Sequence, residues 1–560
     1  MRIPHDMLAR HLLYEQLVRE CTATRTDRFN TYQTLRNYYL FGSETSRGAP
    51  YNKIASTVET LSSFIYSPDM MQFSLHLGTE ASSDEIHKAV PLAREVTEQW
   101  RLSKTHILFG LGLRWSMVFG LMLMKSIWAG KKVRSYLVEP HQFGVLREDI
   151  MGLDDQEAFT HHYTMTRSAL EKNLEGNPRK DSIMKRVGQS ATEALPQLSS
   201  GMSRLLIGSP VGGVTNSLAI PGNMSSFQGG VGQGQAYDYA PKVEAELLDM
   251  CDLYVWDDEI NDYQVITRSS PDVVIYDRPS NWMGHVQGES PFETIRPSFN
   301  LYDYFWGDAF VAKLTWLQDW RTERVQQIRQ LLTKQFKPPM TMTGGVGIAE
   351  EKFLAYGSPD SRISLPTPMG KIDVHAPQMP TDVFAEIAQI DSMFDDQAGL
   401  GHVLQGKGEA GVRSKGQADL MARLGSSRPK ERAIAAEESA EAIAGNILRL
   451  VQDYSDQRFI CEIPGQKPFP FIAEQFTRDY EVKVDGHSSS PIFIEDKKHD
   501  AVTLLEAHAI DRETFLNMFD PPNLQALQEK LKVLQAQEAE AKKAELAAGV
   551  KEQQHKGKHK

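Results

Sequence analysis

Apolar residues over the first quarter of the chain recur at three- and four-residue steps, the spacing that lays one stripe along a helix. Tyr32, Leu35 and Tyr39 mark one stripe; Ile54, Val58, Leu61 and Ile65 mark a second, closed soon afterwards by Pro68. The opening MRIPHDMLARHLLYEQLVRE reads as an amphipathic helix, without the charged-then-apolar order of a secretion signal. The most apolar run, Ile107 to Trp128, is interrupted by Arg114 and Lys125 and loosened by three glycines. A bilayer span needs roughly 18 uncharged apolar residues, so this run predicts a buried helix end followed by a strand. Residues 1–135 are thus mostly helical, and Val133 to Thr166 shortens to strand-like pieces that include YLVEPHQFGVL. Residues 170–205 return to helix with polar faces throughout. Gly208 to Gly234 (GSPVGGVTNSLAIPGNMSSFQGGVGQG) has no period and reads as a surface loop or disordered insertion. After it, VEAELLDMCDLYVW, DDEIND and YQVITR predict strand, turn and strand, with DVVIYDR as a third strand of a β-meander.

The second half is punctuated differently. Ala309 to Lys337 holds no Gly or Pro and predicts a helix of about 40 Å, with Phe310, Leu314, Leu317, Val325, Ile328 and Leu332 mostly on one stripe. Pro338 and Pro339 stop it. A Gly/Pro-rich segment with strand-like KIDVHA runs to Pro380, and a short helix follows from Thr381 to Asp396, with Val383, Ile387, Ile390 and Phe394 on one face. Asp396 to Gln417 then carries Gly399, Gly401, Gly406, Gly408, Gly411 and Gly416. Each glycine disfavours helix by roughly 1 kcal/mol against alanine, so this is a loop. An alanine-rich helical stretch runs from Ala418 to Tyr454, broken at Gly425 to Pro429, where a helix kinks or restarts. Residues 457–500 look β-like, and DAVTLLEAHAIDRETFLNMF and the polar stretch from Leu524 return to helix before the basic tail KEQQHKGKHK. The fold class is α+β, predominantly helical, in more than one structural region, as the length of 560 residues also requires.

Charge and chemistry narrow the function. Hydrophobic residues at 41% allow a real core, while 61 basic against 73 acidic residues give −12. A protein that grips nucleic acid through its phosphates is normally basic overall. Tight nonspecific DNA binding is therefore disfavoured, while a duct that lets a duplex slide remains open. Cys21, Cys251 and Cys461 are scattered and odd in number, so they read as buried small hydrophobes rather than disulfides or zinc ligands. The segment Gly401 to Gly408 nearly matches GxxxxGK[ST], but Gly408 replaces the hydroxyl and an amphipathic helix precedes it where a strand is needed. Asp257, Asp258 and Glu259 read as turn chemistry, and the adjacent His161 and His162 face opposite ways on a strand. No assembled active site, metal site or cofactor is expected. Lys407, Arg413 and Lys415 on the glycine loop read either as solvated charges or as moving contacts to a polyanion. Arg321, Arg324, Arg329, Lys334 and Lys337 read as a solvated or subunit-facing surface, or as a DNA contact.

The order of these parts resembles the tailed-bacteriophage portal proteins. YNKIASTVETLSSFIYSP followed by LVEPHQFGVL is similar to their opening, and SPFETIRPSFNLYDYFWGDAF leading into a Gln/Arg-rich helix is similar to their approach to the stem. The resemblance covers nearly the whole chain and lies in element order. It implies a wing over 1–308, a first stem helix over 309–337, a clip over 338–380 and a second stem helix over 381–396. A tunnel loop over 396–417, a kinked wing helix over 418–454, a β-rich wing return over 455–494 and crown helices over 495–560 complete it. It further implies a ring of self-copies, twelve in the family, at one capsid vertex of the virion, assembled in the host cytoplasm. Double-stranded DNA would pass through it, with the loop glycines giving flexibility and Lys407, Arg413 and Lys415 touching DNA. Partners would be terminase, head–tail adaptors, and major capsid and scaffolding proteins, with no membrane and no enzymatic activity. The clip is short for the family, and 208–234 has no family role. The alternatives are an ATP-driven DNA-packaging enzyme, resting on Gly401 to Lys407, and another virion adaptor or structural protein.

Overall fold

A helix or sheet with one apolar side must bury that side against another element. The computed structural model describes residues 2–44, 51–68, 71–78, 81–190, 247–269, 273–299, 304–336, 340–343, 371–374, 382–399, 427–461 and 467–484, with isolated positions after 501. Helices α1 (Met7–Thr22), α2 (Arg25–Phe41), α3 (Lys53–Ile65), α4 (Ser83–Leu102) and α5 (Thr105–Phe119) open the chain, with strand β1 (Phe73–Leu77) before α4. Asn52 starts α3 by accepting a hydrogen bond from the Ala55 amide at 3.1 Å. Its own amide donates to the Tyr38 and Tyr39 carbonyls, so one side chain caps α3 and ties it to the end of α2. Ser82 and Glu85 cap α4 reciprocally. The stripe Ile54, Val58, Leu61 and Ile65 is fully buried, each side chain contributing about 1.5–3 kcal/mol.

Strands β2 (Met122–Trp128) and β3 (Val133–Val138) form a hairpin, and β9 (Phe292–Ile295) joins the other edge of β2. Strands β4 (Phe143–Val145), β5 (Ala158–Thr166), β6 (Leu247–Asp257), β7 (Asp262–Ser269) and β8 (Val273–Pro279) make the antiparallel meander in chain order. Alternation along β2 sends Met122 and Met124 to the helices and Leu123 to the meander. The small sheet is therefore the middle layer. α1 covers the outer face of the meander through Tyr14 and Leu17 against Ala158, Leu253, Val255 and Ile266.

Helices α6 (Arg167–Asn173) and α7 (Lys180–Ser190) fall where helix is expected. Their faces are not polar throughout, however: Leu170, Leu174, Ile183 and Val187 are buried against Met165, Leu248, Val273 and Ile275. The meander end left open by α1 requires that cover.

In the second half, α8 (Thr315–Phe336), β10 (Met340–Thr343), β11 (Lys371–Val374), α9 (Asp382–Ala398) and α10 (Ser427–Tyr454) follow in order. β12 (Arg458–Cys461) pairs with β13 (Phe469–Ile472), and β14 (Tyr480–Val484) runs antiparallel to β1, Val484 opposite Phe73. α8 begins six residues later than the Gly-free run suggests. Val311–Lys313 form a 3₁₀ turn, whose three-residue repeat sets buried Val311 and Leu314 on one edge of the core. Pro429 lies in the first turn of α10 rather than at a kink inside it, a position where its missing N–H costs nothing. Residues 418–426 lie outside the described residues. The molecule is α+β with several antiparallel sheets. Among the described residues no helix is long and apolar enough to cross a membrane.

Candidate functional site

Two helices built from the Gln/Arg-rich run and the short amphipathic run come together as an antiparallel pair. Arg324 Nε donates to Glu386 at 2.8 Å, Trp320 Nε1 to the same carboxylate at 3.1 Å, and Arg321 Nε to Asp391 at 2.8 Å. Arg321 also lies 4.5 Å from the Tyr51 ring. Within one chain, these two arginines clamp α8 to α9. Arg329 and Lys334 stay exposed on the outer half of α8, and Lys337 lies outside the described residues.

Among the described residues the pair is rooted at one end. Gln318 accepts from the Lys53 amide at 3.0 Å and donates to the Tyr51 carbonyl at 3.0 Å; the Tyr38 hydroxyl donates to Asp319 at 2.6 Å; Lys53 Nζ is 3.3 Å from Asp395. In α8 only Leu317 and Gln318 are buried, and in α9 the buried set, Ile390, Phe394, Asp395 and Ala398, lies at the same end. Toward the other end Phe336 is 82% exposed and Phe384 56%. Between the two helices in sequence, β10 and β11 pair antiparallel, Met340 opposite Val374. The remainder of 338–380 lies outside the described residues.

Gly399, the first glycine of the segment, lies at the root. Gly399 ends α9 at φ +72°, and a Cβ there would come 2.9 Å from the Arg428 Cβ. Arg428 Nη1, in the first turn of α10, donates to the Asp396 carbonyl at 2.8 Å, as a cation at a helix C-terminus should. The described chain on either side of residues 400–426 therefore meets at one point. Of the loop residues singled out by sequence, only Gly399 is described. Lys407, Arg413, Lys415, Gly401, Gly406, Gly408, Gly411 and Gly416 lie outside the described residues, as do 208–234 and nearly all of 495–560.

Other candidates resolve locally. The Glu259 amide donates to the Asp257 carboxylate at 3.1 Å, and the Glu259 carboxylate pairs with Arg2 at 2.8 Å. Asn261 is left-handed at φ +49°, so this acidic run is a turn. Cys21 and Cys461 are buried and Cys251 partly so, all three unbridged, and burial pushes the Cys21 and Cys251 thiols up to about 12. His161 turns inward while His162 takes the other face, 3.9 Å from Cys251.

One cluster escaped the sequence reading. Lys125, on the meander side of β2 and 9% exposed, lies 3.7 Å from Asp252 and donates to the Tyr254 hydroxyl at 3.0 Å. Asp252, 2% exposed, also accepts from Thr267 at 2.8 Å and Tyr163 at 3.2 Å. Burial pulls the ammonium down and the carboxyl up, and His161 and His285 beside them are pushed well below 6.5 by the same cause. The group is sealed between two sheets and acts as a polar rivet. Its signal in the sequence was Lys125 itself, a charge inside an apolar run. No protein-family model matches the chain, and no curated protein matches it either.

Proposed function

We propose that this chain is the subunit of a viral portal ring, the channel at one capsid vertex through which double-stranded DNA is packaged and ejected. In this reading α8 and α9 are the stem, the segment holding β10 and β11 is the clip, 396–417 is the tunnel loop and α10 the long wing helix. The carrying observation is the root at Arg428–Asp396. It brings the two ends of the glycine-rich segment together at the base of a helix pair that is buried at that end and exposed toward the other. A net charge of −12 keeps phosphate from adhering. Self-copies form the ring; terminase, head–tail adaptors, capsid and scaffolding proteins dock on it, and the chain works as virion structure rather than as an enzyme.

Electron microscopy of the purified full chain tests this. Closed rings with an open axial channel are expected, and particles that stay monomeric under all assembly conditions overturn it. Replacing Lys407, Arg413 and Lys415 together by alanine should leave rings intact and impair DNA packaging or retention; a normal packaged genome length would remove the contact role of the loop.

A further inference from the structure

The β2–β3 hairpin turns through two residues. Trp128 pairs with Val133, Ala129 N donates to the Lys132 carbonyl at 3.0 Å, and Gly130 and Lys131 have φ +62° and +66°. A two-residue turn with both central residues left-handed takes Asn or Gly, yet this one holds a lysine at its second position. The same departure occurs once more nearby: Lys104, between α4 and α5, has φ +59°. The two corners adjoin, because the Thr105 hydroxyl donates to Ser135 at 2.7 Å and Ser135 lies 3.3 Å from Ser126. Arg101, Lys104, Lys131, Lys132 and Arg134, all exposed, thus gather at one end of the small sheet. None of the five is in an ion pair or cation–π contact among the described residues. Two of these unpaired cations, Lys104 and Lys131, stand on left-handed backbone; in a chain of charge −12 they mark a place where positive charge is kept against local preference.

From this juxtaposition we infer that the corner formed by the β2–β3 turn and the α4–α5 turn is a phosphate-contact surface for double-stranded nucleic acid, separate from the glycine loop. The five cations sit on two short turns rather than on one mobile tail. No exposed aromatic accompanies the five on these turns, so single-strand stacking is not served. Phosphate neutralisation without base readout is the chemistry that remains. The inference does not require ring closure, and it adds a second DNA contact to the channel reading.

The test is duplex binding by the full-length protein, followed by fluorescence anisotropy across a salt series. Affinity should fall about tenfold on replacing Lys131, Lys132 and Arg134 with alanine, and the slope of log K against log salt should flatten by about 2–3, near 0.9 for each phosphate no longer neutralised. Lys131→Asn should raise the Tm while weakening binding, a split that a purely structural turn would not give. Unchanged affinity and slope in the triple variant overturn the inference. So does equal displacement by polyglutamate, which assigns an acidic protein partner, or binding to phosphatidylserine vesicles in preference to DNA. Loss of binding only when Lys407, Arg413 and Lys415 are replaced also overturns it while leaving the channel reading standing. Ring counts by electron microscopy report on that reading independently.

Discussion

Lys125 and Asp252 show how much a single buried charge governs its neighbours. Removing one partner leaves the other desolvated and unpaired, so Lys125→Ala should cost roughly 3–5 kcal/mol. Replacing both with apolar residues of similar size should cost far less, and urea unfolding of the two single variants and the double one measures the difference. A strongly additive double variant would mean that the pair is not coupled. Glu293, on β9, sits by Asn446 of α10; burial, then the neighbouring Asp154 carboxylate, push its carboxyl from 4.5 up to about 8. The folded protein thus keeps a proton that the unfolded chain has released, and stability should decline as pH rises from about 4.5 to 8. Glu293→Gln should flatten that limb, which thermal unfolding against pH checks; an unchanged profile would place the titration elsewhere. The buried neutral His161 and His285 act with opposite sign, since their lowered folded pKa withdraws stability as pH falls below 6.5. Little of this was legible in the sequence. Lys125 registered there only as a reason against a membrane span, because Asp252 is 127 positions further along the chain.

At the scale of elements, the Arg428–Asp396 contact decides where the glycine segment starts and stops. Gly399→Ala must adopt a left-handed backbone, at roughly 1–2 kcal/mol, and must displace the Arg428 side chain besides. A Tm lowered by several degrees is expected, and a silent substitution would show that the root is not rigid. Glu386→Ala strips a partner from both Trp320 and Arg324 and should cost about 1–2 kcal/mol for half-buried charge-assisted bonds. These helices were legible because their apolar steps of three and four are local. The role of Arg321 and Arg324 was not, since their carboxylates stand 70 and 62 residues away and surface arginines look alike until a partner is placed. The start of α8 misled for a related reason: absence of Gly and Pro permits helix, but buried Val311 and Leu314 set the geometry before Thr315. Polar composition hid the buried face of α7 similarly, because two apolar residues, Ile183 and Val187, suffice to seal the end of the meander.

For the whole molecule the question is what covers the outer half of the α8–α9 pair. Two helices in contact along one line leave most of each cylinder in water, and here Leu332, Phe336 and Phe384 remain exposed on them. Isolated exposed apolar residues need no explanation, but three on one projecting pair, beyond the last buried side chain, are a surface built for contact. If like pairs from neighbouring copies pack side to side, each copy offers one flank and receives the other. Such a head-to-tail arrangement closes when its rotation divides a full turn. Exposed Arg329 and Lys334 would then face a neighbour or the bore, the alternative that the clamp role of Arg321 and Arg324 leaves open for them. Replacing Phe336 and Phe384 with serine removes the apolar contact without touching the rooted end, where Gln318, Asp319 and Asp395 hold the pair to the body. The variant should fold, with an unchanged circular dichroism spectrum and Tm, and sediment as a monomer under conditions where the portal reading expects the parent to form rings. Rings that assemble as well with the two serines as without would show that the pair does not make the contact between subunits, and the stem assignment of α8 and α9 would fall with it.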